Sequence, residues 1–215
     1  MSVLAEAWNW IGANPGPFWT AFRVHLLLSA AGLGVGIAVG VPLGLYLSRR
    51  PGIADAIINA VGIGRTIPSL AILALMLPLV GTGFAPSLIA LALYAVPPIL
   101  VNTYVGIRQV DPDAVEAARG MGMSGGGVLA RIEIPLALPV IFAGIRTAAV
   151  QVVAGATLAT FIGGGGLGDF IAQGVQVNST ARLLVGAVPV TLLALAAELA
   201  FGGVERRLSR HARAG

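Results

Sequence analysis

The sequence contains no cysteine and no lysine, and only two histidines among its 215 residues. The first absence removes disulfides, thiolate nucleophiles and Cys-ligated zinc or iron–sulfur centres. The second removes both a P-loop lysine and a Schiff-base lysine, because all 13 basic residues are Arg. His25 and His211 stand near opposite ends of the chain and do not suggest a metal site. Charge is scarce as well, at 10% of residues against about 25% in a soluble domain. With 57% hydrophobic residues and a mean hydropathy of +0.91, too few polar groups remain to clothe a water-facing surface. The composition indicates an integral membrane protein, in which a net charge of +4 reflects topology and not nucleic-acid binding.

A spanning helix needs about 20 mostly apolar residues, and five stretches qualify: 24–47, 56–80, 87–107, 136–162 and 183–201. Arg65 and Pro68 interrupt the second, which reads as a broken helix or as a short span preceded by an interfacial turn. Residues 1–22, with Glu6, Trp8, Trp10, Phe18 and Trp19, lack the basic start of a signal peptide. They read as an extracytoplasmic interfacial segment whose indoles sit at headgroup depth. Residues 23–204 form the transmembrane domain and 205–215 a basic cytoplasmic tail. With five spans, Arg49, Arg50, Arg108, Arg119, Arg131, Arg206, Arg207, Arg210 and Arg213 share one side, while Arg23 and Arg182 flank the other. The positive-inside rule then predicts the N-terminus outside and the C-terminus in the cytoplasm.

Within the first span, Gly32, Gly36, Gly40 and Gly44 recur every four residues and line one helix stripe. Such a stripe admits a neighbouring backbone, either inside one subunit or at a seam between subunits. Polar side chains at depth usually face protein or water. Asn102, Thr147, Gln151, Thr157 and Thr160 are therefore candidates for a translocation path, with Thr103 beside them. Thr147 and Gln151 share a helix face; bonding back to its own helix is the competing reading for each Thr. Arg146 either faces a water-filled path or snorkels. Glu198, the one carboxylate well inside a predicted span, suggests structure or snorkelling. An intramembrane enzyme would need a polar catalytic set at depth, yet Asp55 and Asp169 lie near span ends. The glycine run at 163–166 lacks a P-loop lysine and follows a helix, so it reads as an outer loop or gate, or a plain connector.

The longest connection on the Arg-rich side, residues 108–135, is well punctuated. Asp111 can cap a short helix with Pro112 at its first position. Asp113 and Glu116 have capping-box spacing, and Gly122 can end the helix in a left-handed conformation. Ser124 begins a second short helix leading to Pro135. Gly125-Gly126-Gly127 lowers the helix propensity of that second piece.

Glu116-Ala117-Ala118, Gly122 and Ile132-x-Ile134-Pro135 together resemble the EAA loop of ABC-importer permeases. Its pattern is EAA, three residues, Gly, nine residues, then I-x-L-P, and only Ile134 departs, replacing Leu. Residues 64–73, 116–148 and 161–171 are similar to osmoprotectant importers, which take up glycine betaine, carnitine, choline or related quaternary ammonium compounds. The resemblance implies an all-α membrane protein of about five transmembrane helices in the type I ABC-importer permease architecture. It further implies a multi-pass protein of the bacterial inner membrane that transports and does no chemistry of its own. Asp113, Glu116, Ala117, Ala118, Arg119, Gly122 and Pro135 would form the coupling loop, with Glu116 and Arg119 as charged contacts and Ala117 and Ala118 allowing close seating. No cofactor or metal is expected on this chain, ATP and Mg²⁺ being held by the partner. The expected partners are a cytoplasmic ABC ATPase dimer, a second permease subunit (identical or a close relative), an extracytoplasmic substrate-binding protein and membrane lipid. Tyr46, Tyr94 and Tyr104 are scattered and make no evident aromatic cage, which suits a system whose binding protein selects the cargo. A permease for methionine or another amino acid is the nearest rival; a passive channel gives no reason for a capped lever.

Overall fold

The computed structural model describes residues 2–64 and 66–214, with side chains described through residue 209. Helices α1 (Val3–Ala13) and α2 (Pro15–Ser48) are followed by α3 (Pro51–Gly64), α4 (Ser69–Val80) and α5 (Phe84–Arg108). Next come α6 (Pro112–Gly120), α7 (Gly125–Val128), a π-helical turn at Leu129–Glu133 and α8 (Ile134–Gly155). A 3₁₀ segment at Ala156–Ile162, α9 (Gly168–Gln176) and α10 (Thr180–Ala214) complete the chain. Among the described residues, four continuous helical runs are long and apolar enough to cross a membrane: Pro15–Ser48, Phe84–Arg108, Gly125–Ile162 and Thr180–Ser209.

Helices α2 and α5 form the central pair. A Cβ at Gly32, Gly36, Gly40 or Gly44 would come within 3.0, 2.5, 2.9 or 2.6 Å of Leu91, Ala95, Ile99 or Thr103 respectively. The glycine stripe thus lies against α5, inside one subunit, where only hydrogen leaves room for the facing side chains. Both residue series increase together, so the two helices run parallel. Helix α8 packs antiparallel to α5: Gly155 faces Leu91, Gly144 faces Asn102 and Gly106 faces Val140. Leu28, Ile99, Ile141, Ala148 and Val152 fill the shared core. His25 is fully buried in α2, its Nε2 donating to the Val153 carbonyl at 3.1 Å, where α8 is about to tighten into the 3₁₀ segment.

The parallel pairing fixes the number of crossings. Since α2 and α5 span in the same direction, the chain between them must return across the membrane. Only α3 and α4 are available, and they meet at a bend of 96°. The second expected span is therefore two helices that cross as a bent pair, the broken-helix alternative. Arg65, where the sequence places the break, lies outside the described residues. Counted with this pair, the candidate spans among the described residues number five.

The N-terminal region is packed onto the helical bundle. Ala7, Phe18 and Ala21 are buried with Phe170, Val185 and Val190. Trp10 stacks edge-on to Phe170 with ring centroids 5.1 Å apart, and the Arg182 guanidinium lies 5.1 Å from the Trp10 ring centroid. The partners of Trp10 come from α9 and α10, far away in sequence, so this ring is held by the protein itself. Trp8 and Trp19 remain exposed.

Candidate functional site

The helix of the 108–135 connection begins and ends on identifiable groups. Asp111 is its N-cap, accepting from the Asp113 N–H at 2.9 Å, with Pro112 in the first turn. At the other end Gly122 has φ +84°, the left-handed conformation that favours glycine. The Gly122 N–H donates to the Arg119 carbonyl at 2.9 Å and the Met123 N–H to the Ala118 carbonyl at 3.1 Å, a Schellman closure. The expected Asp113–Glu116 capping box does not form. With Asp111 as the cap, Asp113 already lies inside the helix, and Glu116 stands two residues beyond the position from which a side chain reaches back to the cap.

Helix α6 presents Glu116, Ala117 and Arg119 to solvent, and Met121 just beyond it is 73% exposed. Ala118 is 1% exposed, turned inward in the fold of α6 onto α7 and the π-helical turn. Its small side chain therefore seats the helix on its own subunit and offers nothing to a partner. The second half of the loop is not a separate short helix. Ser124 caps it, accepting from the Gly127 N–H at 3.2 Å, and the helix then runs without interruption into the span that contains α8. Pro135 has no N–H and would crowd a regular helix at the carbonyl four residues earlier. The π-helical turn immediately before it, closed by the Ile134 N–H on the Leu129 carbonyl, is the local widening that accommodates it. In that turn Glu133 is 5% exposed and ion-paired with Arg49, at the C-terminus of α2.

A second feature runs along one face of α8. Ala143, Arg146, Thr147, Val150 and Gln151 line an open cavity of about 360 Å³ together with Glu198 and Glu205 of α10. Gln151 also lines an adjoining cavity of about 130 Å³ with Leu93, Tyr94, Pro97, Pro98, Ile67 and Ile72. Tyr94 and Ile72 carry that second space on to a small recess at Leu91 and Gly155. The recurrence at 143, 147, 151 and 155 is a single helix stripe, so the three spaces follow one another along one groove-like face of α8. Pro97 and Pro98 lack the N–H groups that would otherwise bond the Leu93 and Tyr94 carbonyls. At the wide end, Arg146 pairs with Glu198 and donates to Glu205 at 2.8 Å, tying α8 to α10.

Of the candidate path residues, Thr147 and Gln151 line this groove. Thr147 bonds back to the Ala143 carbonyl at 2.9 Å, whereas the Gln151 amide has no hydrogen-bond partner among the described residues. Asn102 lies elsewhere, donating to the Pro98 carbonyl at 2.8 Å where α5 meets Gly144. Thr157 and Thr160 line a separate recess with Phe161 and Ile171. Thr157 bonds back to Ala154, and Thr160 is held by Asp169 across the glycine loop. The structure therefore divides the five between three places.

The family model described as "binding-protein-dependent transport system inner membrane component" matches residues 36–210. The chain belongs to this family. It is accordingly a multi-pass inner-membrane transport permease, and the ATPase of such a system is a separate subunit. The permease is 49% identical over 185 residues to the carnitine transport permease protein OpuCB of Listeria monocytogenes, covering 86% of this chain and 85% of that one. It is 46% identical over 185 residues to the glycine betaine/carnitine/choline transport system permease protein OpuCB of Bacillus subtilis, with the same coverage. Its fold matches that of a chain in inward-facing structures of the MetNI methionine ABC transporter with a TM-score of 0.80, covering 89% of this chain and 96% of that one at 22% identity. That level of identity speaks for the fold alone, which is the type I importer architecture expected from the EAA pattern.

Sequence reasoning misses two groups in this permease. Arg49 enters it only as a topology marker and Glu133 not at all, although together they join α2 to the loop. Arg146 and Glu198 stand out separately, but their partnership with each other and with Glu205 spans 52 and 59 residues. The one available signal is the rarity of acids, since a lone Glu in an apolar run asks for a partner.

Proposed function

We propose that this permease forms half of the membrane pathway of an ATP-driven importer of osmoprotectants: glycine betaine, carnitine, choline or similar quaternary ammonium compounds. The observation that carries this is the 49% identity, over 86% of the chain, to a carnitine permease. Support for the methionine alternative is confined to a shared fold. The pathway is completed by a second permease subunit, and a binding protein delivers cargo on the extracytoplasmic side. The N-terminus lies outside and the Arg-rich loops lie in the cytoplasm, in line with the positive-inside rule.

In this reading α6 is the handle on which the ATPase pair pulls. Its Asp111 cap and Gly122 closure make it a stiff element, so displacement passes on without being absorbed in the loop. The continuous helix from Ser124 into α8, and the Glu133–Arg49 pair to α2, carry that displacement into the spans. Bundles of packed helices exchange one arrangement for another and do not deform smoothly. ATP binding and hydrolysis on the partner would thus alternate access to the groove along α8.

The test is uptake of labelled glycine betaine by the permease reconstituted with its ATPase, second subunit and binding protein. Unlabelled choline and carnitine should compete and methionine should not, and omission of ATP should abolish uptake. Uptake without ATP, or competition by methionine alone, would refute the proposal.

A further inference from the structure

Within the groove, the wide end has a chemistry that the transport reading does not by itself require. Its walls carry two carboxylates, Glu198 and Glu205, against one guanidinium, Arg146; Arg206, further along α10, is not among the lining residues. Both carboxylates accept from Arg146, which holds them in place on the cavity wall. Next along the α8 stripe, Gln151 offers an amide without a protein partner among the described residues, and beyond it lie Leu93, Tyr94, Pro97 and Pro98. The Tyr94 side chain adds an aromatic ring to the same stretch. Two carboxylates thus stand against the one guanidinium on the cavity wall, with Arg206 acting on Glu198 from outside it, so the wide end is better matched to a cationic head than to an anion.

We propose that the cavity between α8 and α10 is a low-affinity station for the trimethylammonium head of the cargo, received against Glu198 and Glu205. The Gln151 amide is positioned to meet the carboxylate of a zwitterionic cargo such as glycine betaine. A quaternary ammonium cannot donate a hydrogen bond, so it needs field and contact, which fixed carboxylates supply without geometric demands. An open, water-filled mouth screens that field, so the station attracts the head without trapping it. This inference rests on the osmoprotectant reading of the permease.

The absence of native cysteine makes a direct test clean. Val150→Cys, introduced on the cavity wall, is exposed in the complete transporter to two methanethiosulfonates, one bearing a trimethylammonium group and one a sulfonate. The trimethylammonium reagent should react faster, and choline or glycine betaine at high concentration should slow it. Glu205→Gln keeps the Arg146–Glu198 pair, so the helices stay joined; it should reduce the ratio of the two reaction rates about threefold to tenfold, as loss of one nearby charge would. In uptake assays the same substitution should lower transport of cationic choline more than that of zwitterionic glycine betaine. A reagent ratio unchanged by Glu205→Gln, or no protection by either cargo, while uptake by the wild type proceeds, overturns the station alone. If the wild-type transporter moves neither compound, the osmoprotectant reading falls and the station with it.

Discussion

At position 44 the backbone of α2 has no room for even a methyl group. A Cβ there would lie 2.6 Å from the Thr103 Cβ and 2.8 Å from the Leu100 carbonyl oxygen. The second contact is with backbone, which cannot swing aside as a flexible side chain does. Gly44→Ala should therefore push α2 away from α5 and cost about 1–3 kcal/mol, the usual penalty for overpacking a dense core. Gly34, in the same helix, has nothing within 4 Å of its notional Cβ. Gly34→Ala should be neutral or stabilising by up to about 1 kcal/mol, because alanine is the better helix former. Thermal unfolding of the two variants in detergent checks the contrast, and equal behaviour would refute the packing argument. The stripe is visible in the sequence because its spacing is local to one helix. Arg49–Glu133 is not, since nothing near either residue in sequence points to the other across 84 positions.

The short helix α6 shows how far local rules reach. Asp111, Pro112 and Gly122 act within a few residues of themselves, so both ends of the helix are readable from the residue pattern alone. Ala118 and the length of the following helix are not, because they depend on how α6 folds back onto the π-helical turn. The same limit applies to the capping box: Asp113 and Glu116 have the right spacing, yet the preceding Asp111 takes the cap first. Gly122 allows a test of the element as a lever. No atom lies within 4 Å of its notional Cβ, so a substitution there acts through backbone conformation and not through collision. Gly122→Val would place a β-branched residue at φ +84°, at a penalty of roughly 1–2 kcal/mol. Asn tolerates that region far better. The valine variant should insert normally yet lose most ATP-driven uptake, whereas Gly122→Asn should retain most of it. Uptake by both variants at the wild-type rate would show that the closure of α6 does not transmit force.

For the whole molecule, the number of crossings is legible in the sequence, and how the second is made is not. Hydropathy registers an apolar stretch at 56–80 without registering that it turns through 96°. Yet parallel α2 and α5 require that stretch to return across the membrane. The arrangement also places Arg49, the α6 handle and the Glu205 end of α10 together on the Arg-rich face, because Arg49 bonds Glu133 and Arg146 bonds Glu205. The orientation of that face then determines whether an ATPase in the cytoplasm can reach α6 at all. On the otherwise cysteine-free chain, Met121→Cys and Trp8→Cys place single thiols at exposed sites on the two faces. A membrane-impermeant maleimide should label Trp8→Cys in intact spheroplasts and Met121→Cys only in inverted vesicles. Adding the ATPase to those vesicles should slow labelling at Met121→Cys, because the seated partner covers it. The reverse labelling pattern would put the handle outside the cell, away from any nucleotide, and an ATP-driven pull on α6 would then be impossible.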